Sequence, residues 1–199
     1  MKNLQFEIKL FINLGSYKIM KDKKIISLIG LMGVGKTTLG NKIAQKLQYY
    51  FIDLDQEIED REHCSINEIF KKKGENFFRD IETKIINEIV DRDEEIVLSL
   101  GGGAYINHKS REILQKKSLV IWLHADLDEI VFRTSGKNNR PLLNNAEGKA
   151  NKRKILQDLI EIREPFYKQC DLDFDTTNHN QEILVNKIIQ QINELKNAK

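Results

Sequence analysis

The chain has 199 residues, which is room for one domain of ordinary size with a sizeable core. Apolar residues make up 40% and charged residues 31%, the balance of a globular protein, and no apolar run approaches the roughly eighteen residues that span a bilayer. The net charge of +2 is the remainder of 32 basic and 30 acidic side chains, so it gives no argument for a nucleic-acid or membrane partner. Cys64 and Cys170 lie far apart without Cys-x-x-Cys spacing, which predicts free thiols in a reducing cytoplasm rather than a disulfide framework or a zinc site. Glu7 and Lys9 interrupt the first apolar run, and no small-residue cleavage site follows, so a signal peptide is not expected.

Residues 1–23 precede the first core strand and are expected to be an extension, with 24–199 the domain proper. Leu4, Phe6, Ile8 and Leu10 alternate with polar residues, and Met20 would be a natural start, so residues 1–19 read as an appendage. The apolar run Ile25 to Ile29 then leads into Gly30-Leu31-Met32-Gly33-Val34-Gly35-Lys36-Thr37. A segment with Leu39, Ile43 and Leu47 spaced four apart follows. Strand, glycine loop and helix form the context of a phosphate-binding loop. Its glycines let consecutive N–H groups turn inward, and the helix adds the partial positive charge of its N-terminus. Gly33, Val34, Gly35, Lys36, Thr37 and Thr38 are therefore the expected contacts to a nucleoside triphosphate. Lys36 is placed to reach the β- and γ-phosphates, and the Thr37 hydroxyl to ligate Mg²⁺.

A short strand over Tyr50 to Asp55 ends in two carboxylates. Ser65-Ile66-Asn67-Glu68 is a capping box, and the helix it starts should stop at Gly74, with a second helix from Glu75 to Val90 presenting Ile81, Ile85 and Ile89 on one face. Glu95 to Leu100 reads as a buried strand entering Gly101-Gly102-Gly103. Asn107 should cap a helix to about Lys117, Ser118 to His124 form a strand, and Asp126 cap a helix carrying Ile130, Val131 and Phe132. Residues 135–150 lack apolar periodicity, as in a lid-type loop. A helix from about Lys152, a strand from Leu172 to Thr176 and a last helix from Asn180 complete the chain, with Ile183, Leu184, Ile188 and Ile189 the predicted buried face.

Strands alternating with helices predict an α/β fold, a three-layer α/β/α arrangement around a five-stranded parallel sheet. Ligands in such sheets sit at the carboxyl ends of the strands, where the glycine loop, Asp53 and Asp55, and Gly101 to Gly103 all fall. The Glu95 to Leu100 strand ends in Ser99-Leu100-Gly101, where many ATPases place a metal-binding aspartate. Asp53 is the nearest carboxylate to take that part. The four histidines show no metal-ligand spacing, Trp122 reads as a core residue, and Lys71 to Lys73 as a solvated helix end.

Beyond the phosphate loop, Asp53-Leu54-Asp55, Gly74-Glu75-x-x-Phe78-Arg79-x-x-Glu82, Leu100-Gly101-Gly102-Gly103, Arg140-Pro141-Leu142-Leu143 and Arg163-x-Pro165-x-Tyr167 occur in this order. Together they resemble shikimate kinase, from about Lys24 to the last helix. The resemblance implies a P-loop NTPase fold of the nucleoside-monophosphate-kinase kind, with substrate-binding helices over about 56–90 and a lid over about 135–150. It implies ATP and shikimate as ligands, Mg²⁺ as cofactor, a monomer, and no nucleic-acid or membrane partner. Asp55 matches the aspartate that faces the substrate hydroxyls, Arg79 and Arg163 the arginines for the substrate carboxylate, and Gly101, Gly102 and Gly103 the glycines of the pocket. Asp53 matches the Mg²⁺ aspartate, Arg140 the lid arginine over ATP, and Arg133 the residue against the adenine. Asn178 is placed in the same adenine pocket. Lys36, Asp55 and Arg140 are the expected catalytic groups. The alternatives are another small-molecule kinase of the superfamily, such as a gluconate kinase, and a silent nucleotide-binding module.

Overall fold

A computed structural model of the protein describes residues 23–135 and 149–197, with the backbone alone at 149 and 150. The expectations for residues 1–19, for nearly all of the lid and for Arg140 therefore lie outside the described residues.

Among the described residues the elements run β1 (Ile25–Ile29), α1 (Lys36–Leu47), β2 (Tyr50–Asp53), α2 (Leu54–Glu62), α3 (Ile66–Val90), β3 (Ile96–Ser99), α4 (His108–Lys117), β4 (Ser118–His124), α5 (Leu127–Thr134), α6 (Lys149–Tyr167), β5 (Leu172–Asp175) and α7 (Gln181–Asn197). All five strands are parallel in the order β2-β3-β1-β4-β5. The central β1 is buried along its whole length, which is why it reads as an unbroken apolar run rather than an alternating one. Its alternate residues serve two separate cores. Ile26 and Leu28 pack with α1, α5 and α7, while Ile25 and Ile29 pack with α2, α3 and α4. Helix α6 belongs to both, giving Leu156 to the first core and Tyr167 to the second. It thus carries its last turn around to the α3 side of the sheet.

Local chemistry explains most boundaries. The Ser65 hydroxyl accepts from the Glu68 N–H while the Glu68 carboxylate accepts from the Ser65 N–H, so the capping box is complete. Gly74 breaks α3 into two helices at φ 83° and ψ 173°. A Cβ there would meet nothing within 4 Å, so glycine is needed for backbone conformation and not for space. Asn107 caps α4 as expected, accepting from the N–H groups of Lys109 and Ser110.

Several expectations need correcting. Strand β2 stops at Asp53, whose side chain accepts from the Asp55 N–H, so Asp55 lies in the first turn of α2 instead of ending a strand. Asp126 occupies the N-cap position of α5 without a side-chain cap bond. The buried face of α7 is Leu184, Val185, Ile188 and Ile192, and Ile183 is exposed. Phe132 is exposed on α5, and Trp122 is only partly buried.

The two described ends of the chain are fastened. Lys23 is 7% exposed and donates to the Gln115 carbonyl at 2.8 Å, and Lys196 donates to the Tyr49 hydroxyl at 2.7 Å.

Candidate active site

The loop from Gly30 to Gly35 leaves the carboxyl end of β1 and delivers α1 with Gly35 at its N-cap. Gly30 shows why the loop tolerates no other residue there. Its φ is +136°, and a Cβ would lie 2.1 Å from the Leu123 carbonyl oxygen. Lys36 folds back over the loop, donating to the Gly30 and Leu31 carbonyls at 3.0 Å each. Its ammonium is thereby held at the mouth of the N–H cradle, where phosphate charge would accumulate.

Asp53 and Thr37 meet as the sequence predicts. The Thr37 hydroxyl donates to Asp53 Oδ2 at 2.8 Å, and the other carboxylate oxygen caps α2. One hydroxyl and one carboxylate beside a phosphate loop suit a small hard cation that takes its remaining ligands from phosphate and water. Among the described residues there is no cluster of three or more His, Cys, Asp or Glu that could hold a metal unaided. Asp55, two residues further on in the first turn of α2, is pushed above the usual aspartate range, chiefly by burial and then by the Asp53 carboxylate, with Lys36 and Arg79 opposing. A carboxylate with enhanced proton affinity is suited to take a hydrogen bond, or a proton, from a hydroxyl.

Gly101, Gly102 and Gly103 follow β3, the strand between β1 and β2, and each supports a different side chain. A Cβ on Gly101 would lie 2.6 Å from Asp55 Oδ1. One on Gly102 would lie 2.9 Å from Arg163 Nη1, and one on Gly103 would lie 2.6 Å from Arg79 Nη2. The glycines are therefore a floor on which the acceptor-side residues rest. Arg79 comes from α3 and Arg163 from α6, so two helices on opposite sides of the turn bring two guanidinium groups together. Arg163 Nη1 donates to the Gly102 carbonyl at 3.0 Å. Among the described residues no carboxylate comes within ion-pair distance of it.

Arg79 carries the ion pair that a surface arginine would also show, but not at a surface. It donates to Glu82 at 2.8 Å, and Glu82 is 1% exposed. Burial pushes the Glu82 carboxyl up to about 7, against the pull of Arg79. Burial pulls the Arg79 guanidinium down, and the carboxylates of Glu82 and Glu75 outweigh it and raise it above its ordinary value. The structure thus adds two residues that sequence reasoning passed over. Glu82 steadies Arg79 from below, and Tyr167 donates to the Gly102 carbonyl at 2.5 Å. Both stood inside the quoted motifs, three and four residues beyond an arginine, the spacing that shares a helix face.

On the far side of β1, Arg133 of α5 donates to Glu129 at 2.8 Å and to the Thr176 hydroxyl and carbonyl at 3.0 and 2.7 Å. It thus lines the cleft between α5 and the end of β5, with Thr176 and His179 beside it. Asn178 sits in the turn after β5 at φ 50°, but it does not line the cleft, whereas Thr176 and His179 do. One continuous cleft of about 1210 Å³ joins the phosphate loop, Asp53, Asp55, Arg79, Gly101 to Gly103, Arg163 and Arg133. Its two wings follow from the strand order. The loop after β1 is central, β3 and β2 carry the Asp55 wing, and β4 and β5 the Arg133 wing.

Comparison with known proteins places this architecture. The family described as Shikimate kinase matches over residues 32–193. The chain belongs to the shikimate kinase family. The shikimate kinase of Haemophilus influenzae is 40% identical over 177 residues, spanning 88% of this chain and 96% of that one. The shikimate kinase of Brucella canis is 38% identical over 167 residues, 84% of this chain and 81% of its own. The solved structure of the Acinetobacter baumannii shikimate kinase in complex with shikimate superposes with a TM-score of 0.82 at 36% identity. It covers 92% of this chain and 99% of the other. As a member of the shikimate kinase family the chain is a phosphotransferase that uses ATP and an alcohol acceptor, on a P-loop NTPase-like fold. The cleft is lined by Lys36, Asp53, Asp55, Arg79, Arg133 and Arg163 of the sequence motifs, Asn178 is not among its lining residues, and Arg140 lies outside the described residues.

Proposed function

We propose that the cleft transfers the γ-phosphoryl group of ATP to the 3-hydroxyl of shikimate, a step of aromatic amino-acid biosynthesis, by the following division of labour. The phosphate chain lies in the Gly33 to Thr38 cradle, with Lys36 neutralising charge at the transferring group. Thr37 and Asp53 would hold Mg²⁺, which supplies charge neutralisation on the phosphate oxygens. Arg133 bounds the end of the cleft where the base would stack. Arg79 and Arg163 clamp the shikimate carboxylate, and Asp55 receives the hydrogen bond of the attacking hydroxyl and orients it.

The observation that carries this reading is the glycine floor. Three consecutive residues support Asp55, Arg163 and Arg79 in turn, so the hydroxyl acceptor and the paired cations are set at fixed separation across from Lys36. A ring bearing a carboxylate at one end and hydroxyls at the other matches that order. A monomer is the proposed working unit. Free Cys64 and Cys170, together with ATP as co-substrate, support a cytoplasmic location. Among the described residues no helix is long and apolar enough to cross a membrane.

The test is ADP release with shikimate against gluconate as control acceptor, in the wild type and in Asp55→Asn. Shikimate alone should stimulate the wild type, and Asp55→Asn should bind ATP normally while turnover collapses. Wild-type protein indifferent to shikimate, or an Asp55→Asn variant with unchanged turnover, would defeat the proposal.

A further inference from the structure

Tyr167 is 3% exposed and belongs to the second core, with its ring 6.0 Å from that of Trp122, so packing alone would account for its ring. Packing does not account for its hydroxyl. That group donates to the Gly102 carbonyl at 2.5 Å, beside Arg163 Nη1 at 3.0 Å on the same oxygen. Tyr167 and Arg163 are four residues apart on α6, so one helix face brings two donors to one acceptor.

A backbone carbonyl has two lone pairs, and here both are engaged, which fixes the plane of the Gly102–Gly103 peptide. In a trans peptide the carbonyl of one residue and the N–H of the next point in opposite directions. With the Gly102 oxygen drawn toward α6, the Gly103 N–H is aimed away from α6, on the side where Arg79 lies against Gly103. Among the described residues nothing accepts from that N–H, whereas the Gly101 and Gly103 carbonyls are used by the Ala104 and Ile106 N–H groups at 3.1 Å each. The turn's carbonyls are thus engaged, and the Gly103 N–H is left over with those of Gly101 and Gly102, set apart from them by the doubly held peptide plane and by its place against Arg79.

We propose that Tyr167 is a positioning residue for the acceptor acid: its hydroxyl locks the Gly102–Gly103 peptide so that the Gly103 N–H becomes a third donor to the carboxylate between Arg79 and Arg163. The inference rests on the carboxylate clamp proposed above. The hydroxyl also spares Arg163, which would otherwise hold the Gly102 carbonyl alone while binding the acid.

The neighbourhood is redundant enough that removing one oxygen leaves the fold in place. The Tyr105 hydroxyl and the Gln115 side chain both donate to the Gln169 carbonyl, at 3.1 and 3.2 Å. Arg111 holds the Tyr105 and Ile106 carbonyls at 3.1 and 3.0 Å and lies over the Phe166 ring. The last turn of α6 therefore stays attached to the glycine turn without Tyr167.

The experiment is Tyr167→Phe, assayed for ADP release against each substrate in turn, with shikimate binding measured by calorimetry and the unfolding midpoint recorded. Loss of one buried hydrogen bond that orients a donor predicts a KM and a Kd for shikimate raised about fivefold to tenfold. The KM for ATP should stay within about twofold and kcat fall less than about threefold, because the bond is on the acceptor side only. A shikimate KM within about twofold of wild type, with or without a lowered midpoint, makes Tyr167 a packing residue and overturns the proposal. So does a parallel rise in both KM values. If the wild type itself releases no ADP with shikimate, the clamp fails and this inference with it, an outcome distinct from failure of the Phe variant alone. Tyr167→Leu, which removes the ring as well, should lower the midpoint further without raising the shikimate KM beyond that of Tyr167→Phe by more than about threefold. A Leu variant alone in showing the KM defect would assign the effect to the ring and also refute the hydroxyl's role.

Discussion

Replacing Gly101 by alanine tests the glycine floor most directly. Gly101 lies outside the left-handed backbone region, so alanine is conformationally acceptable there, and the difficulty is a single contact. The new Cβ would sit 2.6 Å from Asp55 Oδ1, whereas ordinary contact begins near 3.4 Å. The carboxylate must therefore move by about 0.8 Å, a step Asp55 can make by turning its side chain, since its backbone is held by the Asp53 cap at 3.2 Å. The stability cost of such a rotation is small, about 1 kcal/mol or less. The catalytic cost is larger, because a displacement of roughly 1 Å in a positioned group lowers rate about a hundredfold, or about 2.7 kcal/mol of barrier. Gly101→Ala should then unfold within a few degrees of wild type and lose about two decades of kcat in coupled ADP release. A kcat within about threefold of wild type in a folded variant would refute the view that the glycine sets the position of Asp55.

Gly103→Ala presses on Arg79 instead, with contacts of 2.6 and 2.9 Å to its two terminal nitrogens, so it should raise the shikimate KM about tenfold and leave the KM for ATP alone. Steady-state kinetics varying each substrate would show the split, and an equal rise in both would contradict it. Glu82 gives a pH signature: folding raises its carboxyl from an ordinary 4.5 to about 7, so the folded state keeps a proton the unfolded chain has lost. Its contribution to stability is complete below about pH 4.5 and is lost as pH rises to about 7. The midpoint of Glu82→Gln relative to wild type should accordingly climb across that interval and level off above it, and parallel curves would exclude the shift. Ser27, buried in β1, has the one buried side-chain polar atom without a partner among the described residues. Ser27→Ala should raise stability by about 1 kcal/mol in denaturant titration, and a comparable loss would reveal a hidden hydrogen bond.

The donor half of the cleft was legible because its chemistry is backbone chemistry written in consecutive residues. Gly30 to Thr37 specify a turn, an N–H cradle and a helix start without help from the rest of the fold. Asp53 lies against Thr37 beside the phosphate loop, and its added duty as the cap of α2 was not foreseen, since that depends on where β2 stops. Glu82 illustrates what sequence conceals. Three residues from Arg79, it reads as one half of an exposed ion pair, and only the packing of α3 over the sheet shows it to be buried. Ile183 went wrong for the opposite reason: the apolar residues of α7 outnumber one face, and tertiary contact selects Leu184, Val185, Ile188 and Ile192. Tyr167 could not be assigned a partner from sequence at all, because the carbonyl it meets is 65 residues away.

The anchoring of Lys23 and Lys196 has a practical corollary. Lys23 precedes β1 and reaches the end of α4, just before β4, while Lys196 meets Tyr49, just before β2. Both described ends of the chain thus sit at the amino ends of the strands, while Lys36 and Asp55 sit at the carboxyl ends. An attachment made at that amino-end face of the sheet would hold the molecule with its cleft turned outward, open to substrate from solution.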